Sequence, residues 1–298
     1  MPESASSAPS SIHASRGADA AAEREQRREW SRARRQAWLG VVVAWVAGFV
    51  DAVGFLTLYG LFTANMSGNS VRLGLAVGVP NWATALFRFT PILGFVIGVA
   101  LGSAVLEVAA RRHMRPQVAV ILGLESLLLA AYAVCRSIWP PGTLWRPADG
   151  AFYLFAALLT LAMGLQNTTL RRVGNRIIHT TFVTGMLTEV TIESVKLLFW
   201  FGDHLCGRGA HRLKRALVVT RRQASFNRLL ALVSIWACYV LGAAAGTIGT
   251  LRWGSVALAA PIVVLLAIAT ADIIKPVYPT AEAEGQADVT QNTPRQKR

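Results

Sequence analysis

Six stretches of this chain, 38–60, 84–108, 116–136, 150–170, 226–249 and 254–274, are apolar almost without interruption. Each is close to or beyond the roughly 20 residues that an α-helix needs to cross a bilayer core. Hydrocarbon offers no water to backbone N–H and C=O groups, so segments of this kind must satisfy them internally as helices. The expected fold is therefore all-α, a polytopic helical membrane protein. Composition agrees, with 53% hydrophobic and 15% charged residues.

Two further apolar pieces, 62–80 and 180–201, are marked by small polar residues. The first is entered through Gly48-Phe-Val-Asp51-Ala-Val-Gly54-Phe55 and carries Asn65, Ser67, Gly68, Asn69 and Arg72. The second is entered through Gly164-Leu-Gln166-Asn167-Thr168-Thr169 and carries Thr181, Thr184, Gly185 and Glu189. Polar groups and glycines inside hydrocarbon-compatible segments are costly and mark functional positions. These residues are the candidates for a substrate or ion pathway. Gly68 and Gly185 are expected to end or break helices. Setting Gly68 on Gly185 sets Arg72 on Glu189, so Arg72 is expected to pair with Glu189, or failing that with Asp51. Lys196 serves Glu193 within its own helix.

The echo continues downstream. Phe95-Val-Ile-Gly98-Val-Ala-Leu-Gly102 is repeated as Tyr239-Val-Leu-Gly242-Ala-Ala-Ala-Gly246, and this small-residue spacing lets a second helix approach closely. Two halves follow, 38–136 and 150–275, with a basic insertion near 203–225. They are expected to form one membrane domain, preceded by a Ser/Ala-rich disordered tail and an Arg-rich surface segment (1–37) and followed by a disordered tail (276–298).

Charge decides how many pieces cross. If 62–80 and 180–201 are re-entrant or broken helices, six spans result, and 24 of the 30 Lys and Arg residues lie on one side. Eight spans, in a parallel repeat, would move the clusters at 111–115 and 171–176 to the other face. The positive-inside rule favours six, with both termini cytoplasmic. Three spans per half make the repeat inverted, the architecture of many secondary transporters.

The net charge of +14 follows the loops, and no aromatic–basic module accompanies it, so nucleic acid is not an expected partner. Cys135, Cys206 and Cys238 form no close pair and no zinc spacing. Neither a metal nor a cofactor is expected. Hydrolase, Walker and dinucleotide motifs are missing as well.

The four motifs in order, from Gly48 through Asn69 and from Gly164 through Gly185, resemble those of the YoaK-type family, bacterial integral membrane proteins of unassigned function. The resemblance covers about residues 38–275 and implies an inner-membrane location and a multi-span helical fold, with no substrate. Ser67 stands where the family more often has Thr, which keeps the hydroxyl. Three functions are consistent with these features. The first is a transporter or permease for a small solute or ion, the second a non-transporting membrane scaffold or binding protein, and the third an intramembrane enzyme. The lipid bilayer is the expected partner, and the glycine-lined faces leave oligomerisation open.

Overall fold

The computed structural model describes residues 9–79, 82–112, 117–139, 150–172, 183–205 and 224–274, and among them there is no strand. In chain order the helices are α1 (Pro9–Thr57), α2 (Met66–Gly78), α3 (Trp82–Arg111), α4 (Gln117–Ile138), α5 (Gly150–Arg172), α6 (Val183–Leu205), α7 (Ala224–Trp253) and α8 (Ala259–Ile274). A 3₁₀ turn, Gly254–Leu258, joins the last two.

Among the described residues five stretches are long and apolar enough to cross a membrane: Arg34–Thr57, Trp82–Arg111, Val118–Ile138, Gly150–Thr169 and Phe226–Ile274. As one helix the last would be more than twice as long as a hydrocarbon core is thick. It is broken at Gly254, whose φ of +60° suits a residue without Cβ, and α8 returns along α1. At 13 residues, α2 is about 20 Å long and too short to cross.

The burial pattern is that of a protein in lipid. Large side chains such as Leu75, Trp82, Leu101, Leu127 and Leu198 are exposed, while Asp51, Asn69, Glu125, Gln166, Asn167 and Asp272 are buried. A water-soluble fold does the reverse. With hydrocarbon outside, apolar side chains need no cover and polar ones do.

Small residues set which helices touch. Against α7, α1 places Gly48 under the Tyr239 carbonyl, while Gly242 and Gly246 of α7 lie against the carbonyls of Trp45 and Phe49. Against α5, α3 places Gly98 under the Leu161 carbonyl and Gly102 against Thr168, while Gly164 of α5 lies against the Phe95 carbonyl. A Cβ at any of these glycines would overlap its neighbour, so the backbones meet at the closest approach that helices allow. In both pairs contacts advance together along the two chains, so the partners are parallel. α4 and α8 are antiparallel, since Ala119 at the start of α4 donates to Asp272 near the end of α8, at 3.1 Å. Ser255, just ahead of α8, reaches the Ala133 carbonyl near the other end of α4, at 3.4 Å.

Two expectations need correction. Residues 9–20 are helical and continuous with the first span, not a disordered tail; they extend the run 20–35, whose Ala, Arg and Glu residues favour helix. The second piece, expected as a short re-entrant or broken helix, is one unbroken helix over Val183–Leu205. α6 has 23 residues, and its charges Glu189, Glu193 and Lys196, not its length, keep it out of the apolar stretches above. Met186 packs with Leu232 and Ile235, and Glu193 meets Arg228 farther down α7 at 3.5 Å. α6 is therefore antiparallel to α7 and starts deep beside it.

Candidate functional site: a stapled loop inside the bundle

Between α1 and α2 the chain leaves the helix and doubles back. Tyr59 (φ 51°) and Gly60 (φ 69°) are both left-handed, which reverses the chain after α1 and sends it back along Asp51. Such backbone is tolerated at membrane depth only where protein satisfies its polar groups. Here side chains do so almost residue by residue.

Arg88 of α3 donates to the Tyr59 carbonyl at 3.2 Å, and Arg72 of α2 donates to the Gly60 carbonyl. Asn69 acts as a backbone mimic: its Nδ2 donates to the Phe62 carbonyl at 2.6 Å, and its Oδ1 accepts from the Phe62 N–H at 3.2 Å. Asp51 takes the remainder. Its Oδ1 accepts from the Thr63 N–H (2.6 Å), the Thr63 hydroxyl (2.9 Å) and the Ala64 N–H (2.7 Å). Its Oδ2 accepts from the Tyr239 hydroxyl of α7 at 2.6 Å.

Asp51 is 3% exposed, and four protein donors satisfy its two oxygens. A buried carboxylate that accepts several hydrogen bonds in this way is stabilised without a cation. The Arg72 guanidinium lies 5.5 Å from the ring centroids of both Phe55 and Phe62, within the range of cation–π attraction.

These contacts revise the pairing expected from the sequence. Arg72 pairs with neither Glu189 nor Asp51. Its partners are a loop carbonyl and two aromatic faces, and Glu189 is bonded instead to Arg228 at 2.6 Å. Arg228 also approaches Glu193, whose second cation is Lys196 at 3.2 Å. Backbone carbonyls freed by an unwound segment are open to accept from a guanidinium, and they need partners of their own.

Gly68 and Gly185 do not break helices. Each lies in the first turn of its helix, α2 or α6. The absent side chain at Gly68 leaves room for the Phe62 ring, which a Cβ would meet at 3.0 Å. Asn65 stands at the N-cap of α2 but makes no side-chain cap bond; its Oδ1 accepts from the exposed Ser67 hydroxyl at 2.7 Å.

In the second half, Gln166 and Asn167 are buried on α5, and Gln166 donates to Glu125 of α4 at 2.9 Å. Thr184 is exposed and its carbonyl accepts from Thr188 at 2.9 Å. Thr181 lies outside the described residues. The structure therefore gathers Asp51, Asn69 and Arg72 around one loop, and places Gln166 and Glu189 elsewhere, each with its own partner.

Three residues of the loop site escaped sequence reasoning: Thr63, Arg88 and Tyr239. Arg88 left a readable signal, a lone charge in an apolar stretch. Tyr239 left none beyond standing one turn ahead of Gly242. Asp51 lines neither the cavity beside Arg35, Trp38, Val264 and Asp272 nor the one beside Trp45, Phe49 and Trp253.

Residues 39–271 match the family model described as "Protein of unknown function (DUF1275)". The chain is also 32% identical over 154 residues to the UPF0700 transmembrane protein YoaK of Bacillus subtilis (strain 168). That match covers 52% of this chain and 65% of the relative, somewhat under two thirds of its length. No solved structure matches.

Proposed function

We propose, from the premise that this chain belongs to the DUF1275 family of proteins of unknown function, that it is a permease for a small polar solute or ion, built as an inverted repeat. That it is a multi-pass membrane protein is supported by its apolar helices and by its transmembrane relative. The observation that carries the permease reading is the loop stapled by Asp51, Asn69, Arg72 and Arg88. Non-helical backbone inside a membrane bundle, at the contact of two repeats, is what inverted-repeat transporters use to meet a substrate.

Helix direction supports the inverted repeat. If neither α2 nor α6 crosses, the six spans alternate so that α1 is parallel to α7, α3 parallel to α5, and α4 antiparallel to α8. The contacts have these three directions. Eight crossings would make α4 and α8 parallel, and a crossing by α6 alone would oppose α1 to α7. The glycine contacts support it too. Gly48 under Tyr239 and Gly164 under Phe95 are the same contact once Gly48 is set on Gly164 and Phe95 on Tyr239. The first helix of each half thus packs on the third helix of the other.

With basic clusters facing the cytoplasm of a bacterial inner membrane, fluorescent-protein and alkaline-phosphatase fusions at Arg112, Gly174 and Gly209 should report cytoplasm. A fusion at Trp145 should report the exterior. Exterior signals at both Arg112 and Gly174 would replace this topology with eight spans.

A second reading, a non-transporting scaffold, is favoured by one observation: both oxygens of Asp51 are occupied and Asp51 is packed shut. In the permease reading this is an occluded conformation. Counterflow into proteoliposomes across a panel of cations, anions, amino acids and sugars separates the two. The permease should exchange at least one labelled solute, and Arg88→Ala should reduce the rate at least tenfold while Gly74→Ala, at an open helix surface, leaves it unchanged. No exchange of any solute by monodisperse wild-type protein would leave the scaffold.

A further inference from the structure

The loop site does not use the most deeply buried acid among the described residues. Glu125 lies in the middle of α4 with no exposed surface. Its Oε1 accepts from the Gln166 amide of α5 at 2.9 Å, and its Oε2 has no hydrogen-bond partner. About one turn to either side of it on α4, Ile121 and Leu128 belong to a small apolar cluster with Leu106 and with Leu165, the neighbour of Gln166.

No cation among the described residues reaches this carboxyl, and Arg88 of α3 is turned to the Tyr59 carbonyl instead. Among the described residues, α8 presents Asp272, which faces Ala119 at the start of α4. α3 carries Glu107 and Arg111, exposed and paired with each other, and α1 brings Asp51, already saturated by its four donors. On α4 itself Tyr132 bonds Thr57 at 2.8 Å, and Arg136 stands in the last turn. On α5, Tyr153 stacks edge-on against Phe152. None of these bonds Glu125.

We propose that Glu125 is a proton-binding site, with Gln166 as its positioning residue. The neutral acid fits the surroundings: Oε1 is the carbonyl that the Gln166 amide bonds, and Oε2 carries the proton. A hydroxyl without an acceptor is a smaller defect in an apolar core than a bare charge. The proton can leave only when α4 and α5 part and water or an acceptor reaches Oε2. That motion would link proton release to a change of conformation at the contact of the two halves. In this role the proton is the coupling ion of the permease, a clause that rests on the transport reading; proton binding itself does not.

The experiment has two arms on the full-length protein. Infrared difference spectra of wild type against Glu125→Gln in lipid, at neutral pH and without any solute, should show the carbonyl stretch of an un-ionised carboxylic acid that the variant lacks. Gln166→Leu should keep this band and move it to higher frequency, because the hydrogen bond to the carbonyl is gone. A merely structural Gln166 would not move it. An unchanged acid region in Glu125→Gln, with only carboxylate bands lost, would overturn the proposal. In the second arm, uptake driven by a pH gradient should fall at least tenfold in Glu125→Gln while solute counterflow persists. Equal gradient-driven uptake in both proteins would remove the coupling role. Loss of counterflow in the wild type would fail the permease reading alone, because the infrared band decides proton binding by itself.

Discussion

Asp51→Ala should leave no stable, monodisperse protein in mild detergent. The substitution strands the Thr63 and Ala64 N–H groups, the Thr63 hydroxyl and the Tyr239 hydroxyl. Each buried donor left unmade costs about 1–3 kcal/mol. The total is on the order of 5 kcal/mol or more, comparable with the whole stability of many domains. Asp51→Asn should be much milder. Its amide oxygen still accepts from the loop, and its NH₂ can donate to the Tyr239 oxygen, so the loss is that of charge assistance. Tyr239→Phe removes one hydrogen bond to a charged group and should cost about 2 kcal/mol. Thermal melting followed by size-exclusion fluorescence ranks the three. Equal melting of Asp51→Ala and wild type would show that the loop does not depend on this carboxylate.

The second large effect belongs to the helix crossings. Gly48→Ala and Gly242→Ala each drive a methyl into a backbone carbonyl of the facing helix, and neither carbonyl can rotate away. Overpacking of a tight contact costs about 1–3 kcal/mol, and a rigid backbone obstacle belongs at the upper end. Gly74→Ala, with nothing within 4 Å, should be neutral or gain up to roughly 1 kcal/mol from helix propensity. The same melting assay reads all three. If Gly48→Ala melts no lower than Gly74→Ala, the close crossing of α1 and α7 is not what holds them together.

Much of the architecture was legible. Apolar length marked the spans, and the Gly98/Gly102 and Gly242/Gly246 spacings marked the faces along which helices meet, because both properties are written in local sequence. The partners of polar groups were not. Arg72 looked as though it needed an acid, since opposite charges are what a sequence displays. Its real acceptor is the Gly60 carbonyl, which becomes available only because the chain unwinds at Tyr59 and Gly60. A left-handed tyrosine carries no readable mark.

Asp51 stood out as a charge within a span, but the donors that stabilise it are two loop N–H groups, a threonine and a tyrosine 188 positions away. Gln166 stands out in the sequence as a polar residue in a span, but nothing local shows that its amide meets Glu125 across the α4/α5 contact. In α6 the charges Glu189, Glu193 and Lys196 lower the hydropathy without interrupting the helix, so length and apolarity, which agree in the other spans, point different ways there.

The exchanged packing of the halves has a consequence for how the protein is made. The grooves of α1 and α3 are completed by α7 and α5, which leave the ribosome later. At 5–20 residues per second, roughly 140 residues separate the end of α3 from the end of α7, an interval on the order of ten seconds. For that time the first half sits in the translocon's surroundings with its glycine faces open to lipid or to another nascent chain. A messenger truncated before α7 would release a product whose α1 groove stays unfilled, ready to capture α7 from a complete copy. Each half is thus the other's assembly template, and the order of synthesis decides which one waits.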